Sequence, residues 1–147
     1  RMIRDTQRKG IIVPVSGGKD STASLILAIE EVGKELVIPV FNDTGWEHPL
    51  TYEYLEYLES HFGLKINRTI GGDRRDGTKA RTLPELIKSQ GKFPFGLGRF
   101  CTTYLKQYAL RDWYKNNLYD PEKKAMSNTT LCMTREQMTE LVVTHVC

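Results

Sequence analysis

The chain has 147 residues, 39% of them hydrophobic and 27% charged, a composition that excludes a disordered or fibrous protein and suits one globular domain. No apolar run approaches the roughly 18 residues that cross a bilayer, and no secretion signal stands behind Arg1-Met2-Ile3-Arg4, so the expected location is cytoplasmic. Lys plus Arg number 21 against 18 Asp plus Glu, and the formal charge of +3 suits anionic small molecules as well as nucleic acid without choosing between them.

The first element in chain order is Gly10-Ile11-Ile12-Val13-Pro14-Val15, an apolar, β-branched run with the pattern of a strand buried on both faces. It stops at Ser16-Gly17-Gly18. From Asp20-Ser21-Thr22 onward, Ala23, Ile26, Leu27 and Ile29 through Val32 recur at helical spacing, with Asp20 or Ser21 placed to cap and Gly33 to terminate. Leu36 to Phe41 repeats the strand pattern and leaves through Asn42-Asp43-Thr44-Gly45. A helix from Pro49 follows, with Leu55, Leu58 and Phe62 on one face, Glu53, Glu56 and Glu59 on the other, and Gly63 at its end. Leu64 to Ile70 predicts a third strand.

The stretch from Gly71 to Gly98, with six glycines and two prolines, reads as loop around one short helix near Leu83 to Gln90. Thr102 to Asn117 predicts a helix with Leu105, Ala109 and Trp113 on one face. The segment 119–147 is poorly legible. Strands alternating with helices give an α/β fold, an open, mostly parallel twisted sheet with helices on both faces and its ligand at the carboxyl ends of the strands. Both polar exits lie at those ends.

The strongest chemical signal is Ser16-Gly17-Gly18-Lys19-Asp20-Ser21 between a buried strand and a helix. Consecutive glycines let the backbone turn sharply and bring its N–H groups close to an anion, the helix start adds partial positive charge, and Lys19 adds a full one. Ser16 and Ser21 offer hydroxyl donors. Together these make a pyrophosphate cradle.

This hexamer resembles the signature loop of the PP-loop ATP pyrophosphatase superfamily. Asn42 to Glu53 is similar to the D-T-G followed by P-x-T-Y of its phosphoadenosine phosphosulfate (PAPS) reductase-like branch, and Arg99-Phe100-Cys101-Thr102-Thr103-Tyr104-Leu105-Lys106 to that branch's R-x-C-T-x-x-L-K. The resemblance covers about residues 11 to 114. It implies an adenine nucleotide α-hydrolase-like, Rossmann-like fold over residues 1–118, with 119–147 packed on or extending the same domain.

It also implies ATP and Mg²⁺ as cofactors, cleavage of ATP to AMP and pyrophosphate, and adenylation of an acceptor, in sulfur transfer or in modification of a nucleotide or nucleic acid. Lys19 and the loop amides would then stabilise charge on the leaving pyrophosphate, and Asp20 would orient the loop or reach Mg²⁺. Asp43, with Thr44 and Gly45 beside it, would meet metal or a ribose hydroxyl. His48 reads as a surface residue at a helix start in preference to a base.

Arg99 and Lys106 suit phosphate or sulfate oxygens of the substrate. Cys101, near a helix start and Arg99, is either a thiol with lowered pKa acting as nucleophile or sulfur carrier, or a small buried core residue. The cysteines Cys101, Cys132 and Cys147 form no C-x-x-C pair and read as reduced thiols. The cluster Arg68, Arg74, Arg75, Lys79 and Arg81 reads as solvated loop charge before phosphate contact. Trp46, Tyr52, Tyr54 and Tyr57 read as packing residues.

The chain departs from sulfonucleotide reductases, which carry a degenerate glycine loop and a C-terminal E-C-G-x-H segment. It also lacks a G-x-R-x-x-E-S motif after the third block, which, with no leading Met, suggests a fragment or a divergent tail. Sulfonucleotide reduction and a catalytically silent module that regulates a partner protein are the rival expectations, and a homo-oligomer or a protein partner is expected in general.

Overall fold

The computed structural model describes residues 10–71, 82–96 and 98–118. The apolar run after Gly10 forms strand β1 (Ile11–Pro14), and helix α1 (Lys19–Val32) follows the glycine turn. A 3-10 turn at Lys34–Leu36 leads into β2 (Val37–Asp43), then α2 (Pro49–Phe62), β3 (Asn67–Ile70) and α3 (Leu83–Gln90). A π-helical turn over Thr102–Gln107 runs into α4 (Tyr108–Asn117).

The strands form one parallel sheet in the order β1-β2-β3. Pro14 is level with Val40 and Val40 with Asn67, so β2 and β3 run past β1 as far as the Asp43–Ile70 pair. The ladder continues one step beyond β1, because Val15 N–H donates to the Val40 carbonyl at 2.8 Å. The β3 pairing is shorter than the expected Leu64 to Ile70 and begins at Asn67, whose side-chain amide donates to the Pro39 carbonyl at 3.2 Å.

Leu25 of α1 and Leu55 and Leu58 of α2 share one buried cluster with Val13, Val15, Val37, Phe41 and Ile66, so both helices cover the same face of the sheet. Burying a Leu or Phe side chain stabilises by about 1.5–3 kcal/mol, which makes this cluster the main source of cohesion. Val40 points to the opposite face and is also fully buried, and β2 touches the π-helical turn as well.

The stripe that α1 buries is Leu25, Ala28, Ile29 and Val32, while the predicted Ile26 and Leu27 are exposed. The helix is apolar over most of its circumference, and only the sheet selects the buried side. In α2 the pattern settles it: Leu55 and Leu58 are buried, Phe62 packs against them, and Gly63 closes the helix in the left-handed region at φ 63°. Trp46 and Tyr57 lie outside the core, being 59% and 56% exposed, which corrects the reading of Trp46 as a packing residue, whereas Tyr57 packs along α2 by stacking on Tyr54 and His61.

Of the described residues, those up to Trp113 belong to one compact unit and Tyr114 to Leu118 to a second. Among the described residues, no helix is long and apolar enough to cross a membrane. The expectations for Arg74, Arg75, Lys79, Arg81, Cys132, Cys147 and 119–147 lie outside the described residues.

Candidate functional site

The turn from β1 to α1 is held by its serines. Ser21 Oγ accepts from Ser16 N–H at 3.1 Å, lies 3.1 Å from Ser16 Oγ, and donates to the Gly18 carbonyl at 2.9 Å. Thr22 Oγ1 donates to the same carbonyl at 3.1 Å. Neither Asp20 nor Ser21 caps the helix as expected: the N-cap is Gly18, and among the described residues no side chain caps the first-turn amides. That start is therefore open to an anion, with Gly18, Lys19 and Asp20 exposed beside it.

Gly17 is required twice over. Its φ is +79°, and a Cβ on it would lie 3.0 Å from Thr51 Cγ2 of α2. The first turn of α2 thus closes on the glycine loop, and further along Tyr54 O–H donates to Thr22 Oγ1 at 3.4 Å.

The same turn of α2 reaches the end of β2. Asp43 Oδ1 accepts from Gly45 N–H at 2.8 Å and from Tyr52 O–H at 2.9 Å. Partial burial, then the hydrogen bond and charge of Asp43 and the charge of Glu47, push the Tyr52 phenol above its ordinary value, against an opposing effect of Arg68. Tyr52 therefore keeps its proton and serves as a donor. The Arg68 guanidinium lies 5.9 Å from the centre of the Tyr52 ring.

Sequence reasoning missed the contact of Tyr52 with Asp43; the P-x-T-Y block contained Tyr52, but a tyrosine on a helix reads as packing. Asp43 Oδ1 is thus fixed by two donors, while Oδ2 accepts no hydrogen bond from the described residues. Buried Thr44 donates through Oγ1 to Glu47 Oε1 at 2.7 Å, and its carbonyl accepts from Leu83 N–H at 2.7 Å. His48 caps α2, its Nδ1 accepting from Leu50 N–H at 3.2 Å.

The third block lies at the end of β3. A Cβ on Gly71 would strike the Tyr104 carbonyl and fall 2.8 Å from Leu105 Cα, so the π-helical turn rests directly on the strand exit. That turn is real π geometry, with Tyr108 N–H reaching back to the Thr103 carbonyl. Leu105 is fully buried in a second cluster with Leu86 and Phe100, and half-buried Cys101 packs against it. Arg99 and Lys106 are exposed.

All three blocks therefore sit at the carboxyl edge of the sheet. Among the described residues, no group of three or more His, Cys, Asp or Glu side chains comes together as a metal cage. Mg²⁺ needs none, since it binds through one or two carboxylates and substrate phosphates, and Asp43 fits that role.

The phosphoadenosine phosphosulfate reductase domain matches residues 10–69, from the start of β1 into β3. An uncharacterized 37.8 kDa protein of Escherichia phage 186 is 42% identical in an alignment 138 positions long that takes in 69% of this chain and 41% of that protein. An uncharacterized protein of Methanocaldococcus jannaschii is 34% identical over 113 residues, 77% of this chain and 21% of its own length. The chain spans less than half of either relative. The family match thus falls on the sheet-building part of the chain and is consistent with the phosphoadenosine phosphosulfate reductase-like branch of the PP-loop superfamily.

Proposed function

We propose that the chain binds ATP with its phosphates on the Ser16–Ser21 loop, cleaves it between the α and β phosphates, and transfers AMP to an acceptor with release of pyrophosphate. The observation that carries this reading is the intact glycine loop, braced internally by Ser16 and Ser21, with an uncapped helix start and an exposed Lys19. Donors fixed before the substrate arrives cost no reorganisation when charge develops on the leaving group.

In this reading Lys19 and the loop amides take the pyrophosphate. Asp43, held on one oxygen by Tyr52 and Gly45, offers the other to Mg²⁺ or a ribose hydroxyl. Mg²⁺, when bound, supplies positive charge to the phosphate oxygens, with Asp43 and Asp20 as its carboxylates. Arg99 and Lys106 orient the acceptor, and Cys101 serves sulfur chemistry only if the acceptor calls for it.

Calorimetry with Mg²⁺ and ATP, AMP, GTP or PAPS, followed by a pyrophosphate-release assay, tests the proposal. ATP should bind in preference to GTP and release pyrophosphate. Lys19→Ala should remove a charge-assisted contact of roughly 1.5–3 kcal/mol and weaken ATP about 10- to 150-fold. Unchanged affinity sinks the loop assignment, and preferential PAPS binding without pyrophosphate replaces adenylation by sulfonucleotide reduction.

A further inference from the structure

We propose that the exposed loop carrying Phe93 and Phe95 is a stacking platform for single-stranded nucleic acid; its role as the site of the acceptor rests on the adenylation reading above. Phe93 and Phe95 are 68% and 87% exposed, placements that strand two aromatic rings in water. The loop is nonetheless built. Gly91 ends α3 in the left-handed region at φ 65°, and Gly98 N–H closes a turn on the Phe95 carbonyl at 2.9 Å. Phe100 N–H then donates to the Gly98 carbonyl at 2.8 Å, and the Leu86, Phe100 and Leu105 cluster clamps the two ends together.

Charge selects the occupant. Between Glu85 and Asp112 the sequence has no acidic residue and five cations, Lys88, Lys92, Arg99, Lys106 and Arg111. Lys88, Lys92, Arg99 and Lys106 are exposed. An uncharged apolar partner leaves these exposed cations unused, whereas a polyanion with flat, unpaired bases uses both the rings and the cations. Pro94 separates the two rings and removes a backbone donor, so the segment is a poor edge for β-pairing.

Position links this platform to the chemistry. Helix α3 starts at the exit of β2, where Leu83 N–H donates to the Thr44 carbonyl, and the chain beyond the loop returns to the exit of β3 at Gly71. An eight-residue helix is about 12 Å long, a span of a few nucleotides. A strand stacked on the loop is thus tethered within reach of the sheet edge where AMP would be transferred.

The test is fluorescence anisotropy of labelled oligothymidylate, oligouridylate and a DNA duplex with the full chain, over roughly 50 to 200 mM salt. At least one single strand should bind better than the duplex, and the comparison of the two identifies DNA or RNA as the source. Phe93→Ala with Phe95→Ala should weaken that binding by at least about fivefold, and Phe93→Tyr with Phe95→Tyr should retain it. Lys92→Gln should reduce the salt slope by about one.

Both rings are exposed, so the alanine pair should fold and keep its ATP affinity. Absence of binding, a preference for duplex, or binding indifferent to the alanine pair overturns the platform. Lys19→Ala separates the two proposals: it should lose ATP and keep the oligonucleotide. A failure of the platform then appears in anisotropy with ATP binding intact, and a failure of adenylation in calorimetry with oligonucleotide binding intact.

Discussion

Tyr52 and Asp43 share one hydrogen bond, and its consequences are separable by pH. The phenol donates to a carboxylate at 2.9 Å, so Tyr52→Phe should destabilise by on the order of 1–3 kcal/mol. Burial and the carboxylate raise the folded pKa above the unfolded value of about 10. The contribution is therefore complete below pH about 10 and disappears as pH rises through the raised folded value, because only the unfolded chain ionises in that window. Urea unfolding of the wild type and Tyr52→Phe at about pH 8 and about pH 11 should show a stability gap that narrows at the higher pH. A gap independent of pH would mean that Phe lacks something other than this bond. Asp43→Asn, which removes the charge but keeps an acceptor, should weaken Mg²⁺-ATP more than it weakens the fold.

At the scale of elements, α3 is fixed at its first residue. Thr82 Oγ1 accepts from Glu85 N–H and Thr82 N–H donates to Glu85 Oε2 at 3.0 Å, a reciprocal cap on a helix whose next N–H is tied to the β2 exit. Thr82→Ala should cost about 1 kcal/mol in thermal or urea unfolding, and Thr82→Ser, which keeps the hydroxyl, only a fraction of it. Helix α2 is legible in the sequence because its signals are local, Pro49 at its start and Gly63 at its end, whereas for α3 the sequence indicates only a short helix near Leu83 and the Thr82–Glu85 cap is seen in the structure. The buried stripe of α1 is not legible, since its apolar residues nearly encircle it and the sheet decides. The π-helical turn hides for a different reason, because Leu105 and Ala109 keep a spacing of four across it and the helical pattern passes unbroken. The placement of Ser16 to Ser21 between β1 and α1, and of Asp43 at the end of β2, was legible. The role of Tyr52 was not, because nothing in the chain announces that Asp43 needs a donor from the helix that follows it.

For the whole unit, cohesion at the carboxyl edge depends on three glycines, one at each strand exit. Gly17 faces Thr51 of α2, Gly45 faces Thr82 at the start of α3, and Gly71 faces the backbone of Tyr104 and Leu105. The three approaches differ in what can yield. Gly17→Ala adds strain from φ +79° and a contact with a side-chain methyl, and Thr51→Ser, which deletes that methyl, should recover the contact part of the loss while leaving the φ part of roughly 1–2 kcal/mol. Gly71 has no such φ to violate, yet the two nearest atoms in its way, ahead of Ala109 Cβ, are main chain, and no truncation of a neighbouring side chain can make room. Gly71→Ala should therefore displace the π-helical turn from β3 and cost about 2–4 kcal/mol, near the upper end for overpacking. The displacement should also reach Arg99 and Lys106, which that turn carries, and so reduce acceptor-dependent pyrophosphate release while ATP affinity at the Gly17 loop is retained. Wild-type stability in Gly71→Ala, or an equal loss of ATP binding and acceptor turnover, would show that the third block is not seated on β3 in the way the close approach at Gly71 requires.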